Sequence, residues 1–347
     1  MNTASRKYFL CAISVTLLLM LCGCEKHIES ADRSFFALDT YITMQAVGPD
    51  AEAALEAVER HIQDRENQWS VTSPDSEIYA INHSDGEPVA VSADTSRLIE
   101  FALTMSRQTA GALDPTIYPV LTAWGFTTGS YQVPEQEELD KLVSLVDYRN
   151  IYLKNNSVTI PDGVQIDLGA VAKGYIGDEA AGLLREQGVT SALINLGGNV
   201  QTVGAKPDGS PWRIGVRNPF ADGNLGVLEV EDMAVVTSGG YERYFTDEAG
   251  NTYWHILDPK TGYPADSGLV SVTVTASEGK RCDALSTALF VMGPERAAEY
   301  WRNCGDFEML LVLGDGSIWL TDGLDSTFTL SERDTDREVM VIQHETK

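Results

Sequence analysis

The chain has 347 residues, an apolar fraction of 43% and a mean hydropathy of -0.13, values typical of a soluble globular protein with a proper core. Its formal net charge is -26, which argues against a general nucleic-acid binder because a phosphate backbone would be repelled. Acidic residues are spread along the sequence, so most of this charge is expected on a solvated surface.

The N-terminus has the order of an export signal. Arg6 and Lys7 precede the apolar stretch YFLCAISVTLLLMLCGC, which is rather short for a transmembrane span, although such an anchor is the alternative. Its Leu-Cys-Gly-Cys ending resembles the lipobox of bacterial lipoproteins. We therefore predict a signal peptide over residues 1–23 and a polar tether over residues 24–33. Lipidated Cys24 would anchor the chain to the cell membrane on its periplasmic or extracellular side.

The five cysteines have separate fates under this interpretation. Cys11 and Cys22 leave with the signal peptide, and Cys24 carries the lipid. Cys282 and Cys304 remain, and an exported pair can form a disulfide, but sequence spacing does not show whether these two are close enough. No CxxC motif or histidine-rich cluster indicates a zinc site.

The hydrophobic patterns predict strands and helices that mix without a strict βαβ repeat. The first helix, over residues 50–69, has one apolar face made of Ala51, Ala54, Leu55, Val58 and Ile62. Further helices are predicted over 94–108, 135–146, 176–187, 283–292 and 295–303, and strands over 41–47, 192–196, 212–216, 233–238, 269–276 and 308–314. We expect an α+β fold, with a single domain over 34–330 and a C-terminal tail over 331–347.

The stretch DLGAVAKGYIGDEA begins at Asp167 with small residues and continues as a helix that ends at Gly188. The preceding GVQIDLG is strand-like, and a strand-to-helix turn leaves backbone N–H groups free to face an anion. Lys173 could add a positive charge on a phosphate, and Gly169 and Gly174 would permit close approach of a ligand. An ordinary helix start with a surface lysine explains the same residues equally well, since the P-loop order GxxxxGK[ST] is absent.

Two glycine-containing motifs follow. NLGGN, residues 195–199, comes after a buried strand, where either a ligand approaches closely or a hairpin turns. In HILDPKTGYP, a turn explains Asp258, Pro259 and Gly262. It does not require His255, for which a structural histidine is the alternative to a functional one.

The stretch CDALSTALFVM places Asp283 and Thr287 at i and i+4 on one helix face, in the predicted first turn. A carboxylate and a hydroxyl in this arrangement can hold a hard divalent cation. The alternative is an N-capping aspartate and a packed threonine.

Taken in order, the motifs DLGAVAKGYIGDEA, NLGGN, SGGYERYF, HILDPKTGYP and CDALSTALF resemble the ApbE family, the FAD:protein FMN transferases. FFALDTYITMQAVG, DSEIYAIN and GALDPTIYPVLTAWGF also resemble the family, so the resemblance covers roughly residues 34–325. It implies an α+β fold that binds FAD with Mg²⁺ and transfers FMN to a threonine hydroxyl of a target protein, releasing AMP. The partners would be exported flavoproteins that carry an acceptor threonine.

The resemblance also implies roles for individual residues. FAD contacts are implied at Leu38, Thr72, Ala112, Leu113, Asp114, Asp167, Lys173 and Leu257, magnesium ligands at Ala170 (through its carbonyl), Asp283 and Thr287, and a role in the transfer for His255. The chain departs from the family at three places. Many members have methionine and glycine at Leu38 and Asp39 and an aromatic residue near Thr72, and some have a second carboxylate at Ser286.

Two other functions use the same features. One is a lipoprotein that binds a flavin without turnover, which would not need Asp283, Thr287 or His255. The other is a magnesium-dependent FAD pyrophosphatase, in which water replaces threonine. The sequence does not separate this enzyme from the transferase, because both use the same metal and the same leaving group.

Overall fold

The computed structural model describes residues 28–344. The predicted signal peptide and the lipidation site Cys24 lie outside this range. Within it, no helix combines the length and the apolar character that crossing a membrane requires.

The elements follow one another along the described chain as short strands and mostly longer helices. The helices are α1 Ala51–Trp69, α2 Glu77–Asn82, α3 Ala93–Gln108, α4 Tyr118–Ala123, α5 Gln136–Val143, α6 Gly169–Glu186, α7 Gly279–Met292 and α8 Pro294–Cys304, with 3-10 turns at Pro115–Ile117, Tyr148–Asn150 and Asp322–Leu324. The strands are β1 Ile28–Ala37, β2 Thr40–Pro49, β3 Val89–Ala90, β4 Tyr152–Lys154, β5 Ser157–Thr159, β6 Ser191–Leu196, β7 Asn199–Val203, β8 Trp212–Arg217, β9 Asn224–Val230, β10 Ala234–Gly239, β11 Tyr244–Thr246, β12 Thr252–Trp254, β13 Leu269–Ala276, β14 Glu308–Leu313, β15 Ile318–Thr321, β16 Phe328–Leu330 and β17 Val339–Ile342.

A nine-stranded sheet organises the molecule, in the order β1-β2-β6-β7-β10-β13-β14-β15-β17. Its neighbours pair antiparallel except β15 and β17, which pair parallel. Helices α1, α6 and α7 cover one face, and the three-stranded sheet β16-β9-β8 packs on the other. Because side chains alternate along a strand, Val236 of β10 packs into the helix layer while Val235 packs under the small sheet. The predicted α+β class is confirmed.

Most predicted elements are present with shifted ends. The apolar face predicted for α1 is fully buried, which confirms the helical periodicity there. Helix α5 ends at Val143 rather than at residue 146. Helix α6 begins at Gly169, as the DLGAVAKGYIGDEA motif predicts, although the hydrophobic pattern began it at 176. Helix α7 begins at Gly279 rather than at Asp283. Asp283 therefore lies in the second turn, and both the first-turn prediction and the N-cap alternative are wrong.

Three other predictions need correction. Residues 28–33, predicted as part of the tether, belong to β1, which pairs with β2 along its whole length. The predicted tail over 331–347 includes β17, which adds an edge strand beside β15. The strand-like run at 163–169 forms no strand. It is irregular chain up to Leu168, and α6 begins at Gly169.

The two cysteines of the folded part do not pair. Cys282 is buried inside α7, whereas Cys304 is exposed at the end of α8, and both are free. Burial raises the pKa of the Cys282 thiol well above its usual range. Cys282 is therefore an inert core residue rather than a reactive thiol.

Helices α6 and α7 cross at a contact that only glycine permits. A Cβ atom on Gly174 would lie 2.2 Å from the carbonyl oxygen of Gly279. The predicted reason for Gly174, room for a ligand, is therefore wrong, because the space is filled by α7. This close approach fixes the depth at which the residues of α7 sit against α6.

Asp178 of α6 caps the first turn of α7. The N-cap residue of α7, Glu278, makes no side-chain cap of its own. Asp178 accepts hydrogen bonds from the backbone N–H groups of Gly279 at 2.6 Å and Lys280 at 3.0 Å, and from Gln201 Nε2 at 3.2 Å. Burial raises the pKa of Asp178 to about 6, although these N–H groups oppose the shift.

This raised pKa predicts a specific pH dependence of stability. Because folded Asp178 binds its proton more tightly than the unfolded chain does, its contribution is fully present below the unfolded pKa and is lost as pH rises through about 6. Between pH 5 and pH 8 the parent should lose roughly 1–1.5 kcal/mol relative to Asp178→Asn, which cannot titrate. Urea unfolding of both proteins across this range measures the difference. A difference that does not change with pH would contradict the prediction.

Candidate active site

The predicted site residues gather at one end of the main sheet. β2 runs antiparallel to β6, with Ile42 opposite Leu196, so the β1–β2 and β6–β7 turns lie at the same end. NLGGN is the β6–β7 hairpin turn, as one of its two interpretations predicted. A Cβ on Gly197 would lie 2.0 Å from Thr40 Oγ1, so this glycine lets the two turns approach each other.

The start of α6 brings Asp167 beside the loop that precedes α4. The N–H of Asp167 donates to the carbonyl of Pro115 at 2.8 Å, and Asp167 Oδ1 accepts from the N–H of Gly169. Burial raises the pKa of Asp167, opposed by the Gly169 N–H and by the charges of Lys173 and Arg243. The N-cap position of α6 has no side-chain cap, and its first turn contains no acidic residue. Within the described chain, the N–H of Ala170 is the one among the first four of this helix that has no acceptor, so it can face a negatively charged group.

Lys173 lies at the centre of the predicted site. Burial raises the pKa of both Asp167 and Asp283, and the charge of Lys173 opposes this rise; the same charge disfavours protonation of His255. Its side chain is half-buried. Within residues 28–344 it forms no ion pair, so its charge is available to a ligand.

The Ala112-Leu113-Asp114 segment forms the wall next to Asp167. Ala112 and Leu113 are buried. Asp114 Oδ1 accepts from the N–H and the hydroxyl of Thr116 at 2.9 and 2.6 Å, and its Oδ2 accepts from the N–H of Tyr148 at 2.9 Å. Burial raises the pKa of Asp114 against these bonds. Its carboxylate thus shapes the loop, a role that the sequence motif did not reveal.

His255 faces Arg243 at the open end of the β11–β12 hairpin. The carbonyl of Arg243 accepts from the backbone N–H of His255 at 3.1 Å and lies 3.2 Å from His255 Nδ1. A carbonyl can only accept, so Nδ1 carries the proton and Nε2 has the lone pair. Burial, followed by the charge of Arg243, lowers the pKa of His255 to about 4. The neutral ring can therefore act as a base at neutral pH.

An aromatic cluster supports this histidine. The Phe126 and His255 rings meet edge to face at 6.4 Å, and Trp124, Phe245, Tyr253 and Tyr263 pack around Phe126 and one another. Leu257 is buried in this cluster and bridges to Pro264. The Asp258 turn is confirmed, since the carbonyl of Asp258 accepts from the N–H of Gly262 at 2.8 Å. Leu257 therefore belongs to the same apolar cluster as Phe126, whose ring contacts His255.

Asp283 is buried between α7 and α6, with 4% of its surface exposed. Its Oδ2 accepts from the N–H of Gly174 at 2.8 Å, and burial raises its pKa against the charge of Lys173. In a regular helix the N–H of Gly174 points at the carbonyl of Ala170. Because the same N–H donates to Asp283, the Ala170 carbonyl lies on the side of α6 that faces this carboxylate.

Hydroxyl groups lie beyond Asp283 along α7. Ser238 Oγ of β10 is 2.8 Å from Ser286 Oγ and 3.4 Å from Thr287 Oγ1. Ser286 also donates to the carbonyl of Asp283 at 2.9 Å. In the part of the chain that the structure describes, no three His, Cys, Asp or Glu side chains cluster as metal ligands. Any cation here would depend on one carboxylate plus neutral oxygens.

Leu38 and Thr72 lie at the rim of the same end. Leu38 and Asp39 form the two-residue β1–β2 turn with φ of 54° and 56°, and the N–H of Leu38 donates to Glu66 Oε1 at 2.7 Å. Left-handed backbone at both positions explains why glycine suits this turn. Thr72 is exposed after α1, hydrogen-bonded to Ser70. No hydrogen bond in residues 28–344 joins either residue to Asp167 or His255.

The structure thus brings together Asp167, Lys173, His255 and Asp283, with Ala170 and Thr287 beside Asp283. Sequence reasoning missed Arg243, whose carbonyl orients His255, although it stands inside the quoted motif SGGYERYF. It also missed Ser238 and Asn199, which face the α6–α7 interface from neighbouring strands. Their signal was present in the quoted motifs, but only the sheet register shows which way they point.

The chain is similar to known proteins over most of its length. The family model described as the ApbE family matches residues 38–311. An FAD:protein FMN transferase of Vibrio cholerae is 33% identical over 296 residues, which cover 82% of this chain and 88% of the relative. One from Treponema pallidum is 32% identical, covering 87% of this chain and 90% of the relative.

Solved structures show the same fold. The crystal structure of the ApbE protein of Thermotoga maritima superposes with a TM-score of 0.82 at 34% identity, covering 86% of this chain and 99% of that one. The flavin transferase ApbE of Vibrio cholerae superposes with a TM-score of 0.78 at 28% identity, again covering 86% and 99%. The chain belongs to the ApbE family.

Proposed function

We propose that this chain is an FAD:protein FMN transferase that moves FMN from FAD to a threonine hydroxyl of a target protein and releases AMP. Its relatives from Vibrio cholerae and Treponema pallidum have this name. The observation that carries the proposal is His255, a neutral base whose tautomer is fixed by the Arg243 carbonyl, placed close to two cations.

His255 supplies the base that a threonine nucleophile needs, because a hydroxyl is weakly nucleophilic at neutral pH. The hydroxyl proton moves to His255 Nε2 as the threonine oxygen bonds to the phosphorus on the FMN side of the pyrophosphate. The bond from that phosphorus to the bridging oxygen breaks, and the bridging oxygen leaves with AMP. Throughout this step Nδ1 keeps its proton and donates it in a hydrogen bond to the Arg243 carbonyl, which stabilises the protonated ring.

The positive charges of the site suit a pyrophosphate. Lys173 and Arg243 both oppose the rise that burial causes in the pKa of Asp167, and both disfavour protonation of His255, so the two cations act on one small volume. The start of α6 adds N–H groups with partial positive charge. These groups favour the charge that builds up on the phosphoryl oxygens and on the departing AMP.

The residues around Asp283 fit Mg²⁺. The set combines a buried carboxylate, the Thr287 hydroxyl and the Ala170 carbonyl, all hard oxygen ligands. Asp283 Oδ2 accepts from the N–H of Gly174 at 2.8 Å, and a bound cation would balance the charge of this buried carboxylate. Mg²⁺ bound there would act as a Lewis acid on the phosphoryl oxygens.

We further propose that the chain is a lipoprotein held at the membrane by Cys24, where exported flavoproteins would meet it. Residues 25–27 separate Cys24 from β1, and three residues span about 10 Å at most. β1 then leads away from the anchor to the Leu38 turn at the site end of the sheet. The membrane and the site would therefore lie at opposite ends of β1.

Cys24→Ser tests the anchor. We expect this variant to accumulate as an unprocessed precursor or to leave the lipid-anchored fraction, because the acylated thiol is absent. Fractionation of the producing cells and mass spectrometry of the N-terminus measure the outcome, with Cys304→Ser as the matched control that keeps Cys24. An unmodified mature N-terminus that begins at another residue would contradict the lipoprotein proposal.

The activity is tested with the purified mature chain, FAD, Mg²⁺ and an acceptor protein that carries a threonine. Transfer predicts flavin fluorescence on the acceptor band in a denaturing gel, lost when that threonine becomes valine. Release of FMN and AMP without labelling would identify a magnesium-dependent FAD pyrophosphatase instead. Intact FAD bound without turnover would identify a flavin-binding lipoprotein.

A further inference from the structure

Asn199 is a buried polar side chain that lacks a hydrogen-bond partner. Only 1% of its surface is exposed, and neither its Oδ1 nor its Nδ2 has a partner within the described chain. A buried amide with both ends unsatisfied is costly, so such a group points to a ligand that completes it.

The sheet register shows where Asn199 points. Gln201, two residues along β7, faces the helices, since its side chain reaches Asp178 and lies against Gly279. Side chains at i and i+2 share a face of a strand, so Asn199 also faces the helices, about 7 Å nearer the site end. Asp283 lies four residues, about 6 Å, beyond Gly279 on α7. Asn199 and Asp283 are therefore level with each other.

The neighbouring side chains agree with this geometry. Asn199 faces Asp283 across the interface without forming a standard hydrogen bond to it. The next level up the interface is also polar, where Ser238 meets Ser286 and Thr287. A line of polar side chains thus runs through an otherwise apolar helix–sheet interface. The unsatisfied amide of Asn199 lies in this line beside the buried carboxylate of Asp283.

We propose that Asn199 is a further ligand of the divalent cation, with Oδ1 bound to the metal and Nδ2 turned toward Asp283. An amide oxygen is a hard ligand of the kind that Mg²⁺ takes, and an amide N–H can orient a ligating carboxylate. This inference rests on the proposed magnesium site.

Binding of Mn²⁺, followed by its electron paramagnetic resonance signal with and without FAD, tests the proposal without any transfer reaction. Asn199→Leu should weaken Mn²⁺ binding at least about tenfold, because the oxygen is lost. Asn199→Asp should keep or tighten the binding. Gln201→Leu, on the same face one level away, is the matched control and should bind Mn²⁺ like the parent.

Thermal unfolding separates a ligand from a packing residue. Without metal, Asn199→Leu should have a Tm equal to or above that of the parent, because an unsatisfied buried amide is removed. Its Tm increase on adding Mg²⁺ should shrink. A metal-free Tm well below the parent's, together with parental Mn²⁺ affinity, would overturn the proposal.

The outcome is independent of the transferase assay. A parent chain that binds Mn²⁺ through Asn199 but transfers no FMN would leave the ligand standing and refute the proposed activity. If the parent transfers FMN in a magnesium-dependent reaction but Asn199→Leu binds Mn²⁺ as tightly as the parent, the proposed activity stands and the ligand assignment is refuted. A parent that binds no Mn²⁺ under either condition would overturn the ligand assignment outright.

Discussion

Asp283→Asn should reduce FMN transfer roughly a thousandfold or more while the protein stays folded. The substitution keeps the shape and an oxygen for the N–H of Gly174, so the α6–α7 contact survives. It removes the one negative charge that the proposed cation site offers, and Lewis-acid stabilisation of a phosphoryl transition state is worth several kcal/mol. Initial rates of acceptor labelling at saturating Mg²⁺ measure the loss.

Asp334→Asn is the matched control for this experiment. Asp334 is also a buried aspartate, but it pairs with Arg337 beside the three-stranded sheet β16-β9-β8, away from α6 and α7. Its loss should lower stability and leave the transfer rate close to the parental value. Parental activity of Asp283→Asn, in a folded protein with magnesium present, would show that the cation is not held there.

His255→Gln should lower kcat by roughly a hundredfold to ten-thousandfold, the range that a general base contributes. FAD affinity should change little, because the Nε2 lone pair acts on the acceptor hydroxyl. The parent should lose kcat/KM as pH falls through about 4, where His255 becomes protonated and ceases to be a base. The activity of the variant should not show this limb.

His61→Gln is the control histidine variant. His61 lies between α1 and α6, where its Nε2 is 2.9 Å from Glu179 Oε2. This substitution should cost stability rather than rate. A His255→Gln enzyme with the parental kcat and the parental acid limb would show that another group takes the threonine proton.

The parts of the fold that local patterns control could be predicted from the sequence. α1 has a 3.6-residue apolar period, and β13 is a run of β-branched residues whose predicted bounds match the observed Leu269–Ala276. The sequence does not predict the first part of β1, residues 28–33, because this edge strand exposes one face to solvent and its residues are mostly polar. β17 was missed in the predicted tail for a related reason, since its side chains are mostly exposed.

The candidate site was less predictable where its geometry depends on distant partners. The start of α7 carries no capping signal of its own, because Asp178 on α6 supplies the cap. The neighbouring sequence therefore does not predict in which turn of α7 Asp283 lies. Gly174 was assigned to a ligand, although the neighbouring helix needs it, and only the folded chain brings Gly279 against it. The tautomer of His255 likewise depends on a backbone carbonyl across a hairpin.

The stoichiometry of the complete reaction tests the proposed FMN transfer most directly. The purified mature chain is mixed with FAD, Mg²⁺ and an acceptor protein, and both the AMP released and the flavin attached to the acceptor are quantified. We expect one AMP for each FMN attached through its phosphate to a threonine, as peptide mass spectrometry would show. AMP and free FMN released in equal amounts, with an unlabelled acceptor, would contradict it.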